Sequence, residues 1–134
     1  MKTRIIFSVI LIVAISVTSF GFGIPAPAAN KNFNRDLIVK NLINGINSGN
    51  EGLRLSSAYF LGEMEADEAV IPLLKILKSD PNEDARILAA LSLYKIDDSR
   101  GLFAIKQAIT FDDSEVVRRT CSLFYRAYLE KSIK

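Results

Sequence analysis

ADEAVIPLLKILKSDPNEDARILAALSL, residues 66–93, holds two apolar stretches at helical spacing around a polar break at Ser79-Asp80-Pro81-Asn82. In the first stretch Val70, Leu73, Leu74 and Leu77 form the buried stripe of one helix. In the second, running from about Asp84 to Ile96, apolar and small residues recur three and four apart and mark another. The break carries turn chemistry followed by acidic residues suited to a helix start. Two short helices joined by so tight a turn cannot both bury their apolar faces in isolation, so the decisive question is whether the pair recurs.

It does. Arg54, Arg86 and Arg118 are spaced by 32 residues, and the same offset aligns Ala58 with Ala90 and Ser122, and Leu61 with Leu93 and Tyr125. It also pairs Val70 with Leu102, Leu73 with Ile105, Leu77 with Ile109 and Asp80 with Asp112. Backward from there, Val39, Leu42, Ile43, Ile46 and Ser48 precede Val70, Leu73, Leu74, Leu77 and Ser79 by 31 residues, a half unit with one residue missing in the turn. The spacing predicts first helices over about Glu51–Met64, Asp84–Ile96 and Ser114–Leu129, and second helices over Asp67–Lys78 and Ser99–Thr110. Asp67 and Ser99 are the expected caps of the second helices, and Pro72, a turn inside its helix, is expected to bend or tighten that end. The fold class that follows is all-α: a short α-solenoid of antiparallel helix pairs, spanning residues 35–134.

The unit Ala66-Asp67-Glu68-Ala69-Val70-Ile71-Pro72-Leu73-Leu74, followed by Asp80-Pro81, Arg86, Ala90 and Leu93, resembles the HEAT-like repeats first grouped with the phycobilisome lyases. The resemblance covers about Leu37 to Leu129. It implies a superhelical stack whose second helices line the concave side, in a class that includes scaffolds, adaptors, lyase subunits and enzyme inhibitors.

Residues 1–28 read differently. Lys2 and Arg4 precede an almost unbroken apolar run from Ile5 to Phe20, then Gly21, Gly23 and Pro25, and Ala26-Pro27-Ala28 as a small-x-small cleavage site. This is the shape of a secretory signal, with a retained membrane anchor as the rival, since the apolar run approaches the roughly 20 residues a spanning helix needs. Residues 29–34 are expected to form a flexible lead-in. The expectation is an exported chain, periplasmic or extracellular, touching a membrane only through an uncleaved N-terminal segment.

Removing the signal takes two of the 17 Lys and Arg residues and leaves 15 against 15 Asp and Glu. A neutral chain has no basic surplus with which to displace counterions from a phosphate backbone, which argues against a nucleic-acid partner. Histidine is absent, and with it the commonest general base and metal ligand. The single Cys121 aligns with Ala89 and Ser57 and reads as a small buried hydrophobe. The acidic turn from Asp80 fails as a calcium loop, with Ala85 where glycine is needed and Leu91 where a carboxylate is needed. No catalytic constellation, metal site or cofactor motif is expected.

Two surfaces remain for a protein partner. On the second helices, Lys40, Ile71 and Phe103 form one ladder and Asn44, Lys75 and Gln107 another, with Lys78 and Lys106 nearby: apolar side chains flanked by lysines and amides, suited to an acidic or amphipathic peptide. The bland alternative is that Ile71 and Phe103 complete packing between repeats. At the far end, Phe124, Tyr125 and Tyr128 lie on a helix with no second helix to cover them. The sequence therefore predicts a non-enzymatic interaction module with Ile71, Lys75, Phe103, Gln107, Tyr125 and Tyr128 as contact residues. The alternatives are a chromophore-lyase-like or lyase-accessory protein, and an envelope component that self-associates through its ends. For Arg54, Arg86 and Arg118, recurrence at the repeat period favours a structural role, each tying its helix start to a neighbouring turn.

Overall fold

The computed structural model describes residues 34–133; the expected signal (1–28) and nearly all of the lead-in lie outside them. Six α-helices follow in order: α1 Arg35–Ile46, α2 Glu51–Glu63, α3 Val70–Ser79, α4 Glu83–Ile96, α5 Ser99–Phe111 and α6 Glu115–Ser132. There is no strand among the described residues. Helices α2, α4 and α6 stack on one another in one layer, and α3 and α5 pack in the second layer, each against the first-layer helix that follows it. The half unit read from Val39 to Ile46 is α1, packed on α2 as α3 packs on α4.

The core runs along the seam between the layers. Leu61, Val70, Leu73, Leu93, Ile105, Val117 and Cys121 are fully enclosed, and most fall in the rows that the 32-residue offset aligns. Small residues set the spacing within the first layer. A side chain at Gly62 of α2 would meet the Cα of Ser92 of α4 at 2.7 Å. The Ser92 hydroxyl donates to the carbonyl of Ala58 at 2.8 Å, across the same contact.

Helix ends depart from the sequence expectation in detail. Asp67 does not cap: residues Asp67–Ala69 form a 3-10 turn with no side-chain cap, and α3 starts at Val70. Pro72 therefore falls in the first turn of α3, where a missing N–H costs little, and the tightening lies just ahead of it. Ser99 is the first helical residue of α5, and the cap is Asp98, whose carboxylate accepts from the Arg100 N–H at 2.9 Å. A carboxylate one residue earlier reaches the free N–H groups that Ser99, already helical, cannot. Asn34, counted in the lead-in, is the cap of α1 and accepts from the Leu37 N–H. The residue missing from the first half unit is lost at the C-terminal end of α1, before the turn proper, because Ser48 takes the place of Asp80. Each of the two accepts the backbone N–H two residues on, that of Asn50 or Asn82.

α2 ends with Glu65 in the left-handed region (φ 48). Its N–H reaches the carbonyl of Gly62, and that of Ala66 reaches Leu61, the paired closure that usually places glycine at this position.

Candidate functional site

The arginine ladder is structural. Each arginine donates to the carbonyl six residues before it: Arg54 to Ser48 at 3.3 Å, Arg86 to Asp80 at 2.8 Å and Arg118 to Asp112 at 2.6 Å. Two of them also reach forward to the next turn. Arg86 grips Asp112 through Nε and Nη2, both at 2.9 Å, and Arg54 Nε lies 3.5 Å from Asp80. The same turns are cross-tied by Asn82 donating to Glu51 and Ser114 to Glu83. These charge-assisted bonds fix helix starts and the step between units, and they spend the guanidinium groups of Arg54 and Arg86 within the fold.

Cys121 is fully buried in α6, and burial pushes its thiol up to about 11. A thiol held protonated and out of reach is neither nucleophile nor ligand at neutral pH. Among the described residues no group of side chains has the makings of a metal site, and no buried polar side-chain atom lacks a partner.

The open feature lies between α3 and α5. A groove of about 610 Å³ has Leu74, Leu77 and Lys78 on one wall and Phe103, Gln107 and Phe111 on the other, over the small side chains of Ala104 and Ala108. Phe103, Gln107 and Phe111 are spaced by four residues and so form one stripe of α5. Phe103 is 62% exposed and Phe111 73%, large values for phenylalanine. Ile71 is 61% exposed. Completion of packing between repeats is thus not what Ile71 and Phe103 do. Helices meet along the Leu73–Ile105 row, and these two side chains project beyond it.

Of the six residues expected at a contact surface, Phe103 and Gln107 line the groove. Ile71 and Lys75 are exposed on α3 outside its lining. Tyr125 and Tyr128 are elsewhere, half-buried on α6 against the core. Their rings are 6.2 Å apart, Lys106 of α5 lies over Tyr125 at 5.9 Å, and Phe124 stacks on Tyr94 of α4 at 5.9 Å. The aromatic area at this end is partly covered, Phe124 by Tyr94 and Tyr125 by Lys106, and Phe124, Tyr125 and Tyr128 each keep part of their surface exposed. Sequence reading missed Phe111, placed in the turn by ending the helix at Thr110, although its four-residue step from Gln107 was available. It also counted Leu74 among the buried stripe, where it forms a groove wall; Ile76 is buried in the core instead.

The charge around the groove is one-sided. Neither α3 nor α5 contains an Asp or Glu, while Lys75, Lys78, Arg100 and Lys106 stand on them. Asp112 at the groove's end is held by Arg86, and Arg100 by Asp98, which leaves the three lysines without an ion pair among the described residues.

A two-layer stack of helix pairs in 32-residue register, with an apolar groove on the second layer, defines an α-solenoid, a fold class that commonly mediates protein–protein contacts. A family model for HEAT repeats matches residues 39–123. The chain belongs to the HEAT-repeat family. No curated protein matches the chain.

Proposed function

We propose that this chain is an exported, non-catalytic interaction module that holds an amphipathic, acidic segment of another protein in the groove between α3 and α5. One observation carries this reading: exposed Phe103 and Phe111 line a groove together with Lys78, on two helices that have no carboxylate and also carry Lys75 and Lys106, none of the three lysines in an ion pair among the described residues. Aromatic anchors supply apolar area at small entropic cost, and the lysines favour a partner with carboxylates flanking its apolar face. Export rests on the basic start, apolar run and Ala26-Pro27-Ala28 of the N-terminal segment. The lyase-like alternative is weakened by Cys121, the only thiol of the chain, which is buried and protonated.

The test is fluorescence anisotropy with a labelled amphipathic helical peptide bearing glutamates beside its apolar stripe, against a counterpart bearing lysines. The acidic peptide should bind, the basic one should not, and Phe103→Ala with Phe111→Ala should weaken binding by about tenfold or more with the helical content unchanged. Equal affinity of the two peptides, or no effect of the double truncation, would remove the groove from consideration. Mass determination of the N-terminus of protein recovered from the native cell envelope or medium tests export: a chain beginning at Met1 in the cytoplasm would overturn it.

A further inference from the structure

A second surface is written into the repeat itself, on the outer side of α6. Within the first layer every helix presents one stripe to the helix that follows. On α2 it is Leu55, Ala58, Tyr59 and Gly62, where Ala58 and Gly62 meet Ser92 of α4. On α4 the positions thirty-two residues on are Ile87, Ala90, Leu91 and Tyr94, and Tyr94 stacks on Phe124 of α6. Thirty-two residues on, the same stripe of α6 reads Arg119, Ser122, Leu123 and Arg126. The two ends of the stripe, occupied by Ile87 and Tyr94 against the core in α4, are exposed arginines in α6, with Leu123 47% exposed between them. Arg118 belongs to the same end. Its counterparts Arg54 and Arg86 each meet an aspartate from the following turn, whereas Arg118 bonds its own turn at Asp112 and Asp113 and has no carboxylate within salt-bridge distance among the described residues.

We infer that the outer face of α6 docks a helix of a partner protein whose preceding turn offers an aspartate to Arg118 and whose facing stripe carries an apolar side chain between two carboxylates, received by Arg119 and Arg126. The repeat supplies the template. Asp112, the first residue of the turn before α6, is gripped by Arg86 while α6 lies along α4, and the partner reproduces that arrangement one step further out. Arg119 and Arg126 are seven residues apart, about 10 Å along the helix, so the two carboxylates stand two turns apart on the partner with the apolar contact over Leu123 and Ser122. A guanidinium row selects planar carboxylates by bidentate bonding. A second copy of this chain does not meet the requirement, since Ser48 stands at its first turn where Asp80 and Asp112 stand in the later ones.

The probe is a synthetic peptide of roughly 18 residues that opens Asp-Pro-Asn, as residues 80–82 do, and carries two glutamates seven apart around a leucine. Its control replaces Asp by Asn and Glu by Gln. With the full chain, the acidic peptide should bind at least about tenfold more tightly than the control. The pair Arg119→Glu and Arg126→Glu, both exposed positions, should abolish that difference, and Arg118→Gln should reduce it. Lys75→Glu with Lys78→Glu, on the α3 side, should leave it intact, which separates this surface from the groove. Equal binding of the two peptides overturns the proposal, as does loss through the α3 variants alone. Sedimentation that shows a self-associated chain dispersed by the α6 variants would assign the face to a second copy and overturn it too, and so would equally tight, arginine-dependent binding of inorganic polyphosphate.

Discussion

Arg86 and Arg54 occupy the same place in successive units, yet the structure gives them different weights. Arg86 holds Asp112 bidentately, the pair being 13% and 7% exposed, while Arg54 meets Asp80 at a single 3.5 Å contact. Removing one member of a largely enclosed pair strands the other, so Arg86→Ala should cost about 2–3 kcal/mol in urea unfolding. Arg54→Ala, which loses one longer contact in a pair 20% and 10% exposed, should cost less, about 1–2 kcal/mol. The enclosed thiol gives a second expectation at this scale. Cys121 should resist labelling by a thiol-specific disulfide reagent at pH 8 in the folded chain and react at once in denaturant, since burial keeps it protonated until well above that pH. The period, the arginine row and the small-residue row through Cys121 were legible in the sequence because a spacing that recurs three times constrains each copy. The cap at Asp98, the 3-10 turn at Asp67 and the exposure of Phe111 were not. Each occurs once and turns on a shift of one residue at a helix end, which periodicity does not resolve.

Two neighbouring positions at the end of α2 should respond in opposite directions. At Gly62 a β-carbon would press into the backbone of Ser92, so Gly62→Val should push α2 and α4 apart and lower stability by about 1–3 kcal/mol. Glu65 holds a left-handed conformation that an L side chain disfavours, and Glu65→Gly should raise stability by about 1 kcal/mol. Thermal melts of the two variants against the parent check both signs. The groove also belongs to this scale, and it explains why only part of the site could be read beforehand. Which residues stand off the buried stripe follows from helical spacing, and so Phe103 and Gln107 were found. Whether a gap opens beside them depends on the approach of α3 to α5 over Ala104 and Ala108, a distance that no single helix encodes.

At the scale of the molecule, α4 packs against α2, α3, α5 and α6, and it buries six of its residues. In a stack where each unit is stabilised by its neighbours, the slowest amide exchange should fall in α4 and the fastest in α1, which has a neighbour on one side only among the described residues. Hydrogen exchange read by mass spectrometry would show the gradient, and uniform protection would refute it. The clamp from each arginine to the carbonyl six positions earlier, joined in Arg54 and Arg86 by a grip on the next aspartate, acts as a gauge that a unit carries for its successor. Splicing a second copy of residues 80–111 between Phe111 and Asp112 would give Arg86 the copied aspartate and give the copied arginine the original Asp112. Such a chain should fold into a longer array with proportionally greater helical ellipticity and a single melting transition. Growth by whole units of this gauge, without redesign of any junction, is a route by which a short array becomes a long one.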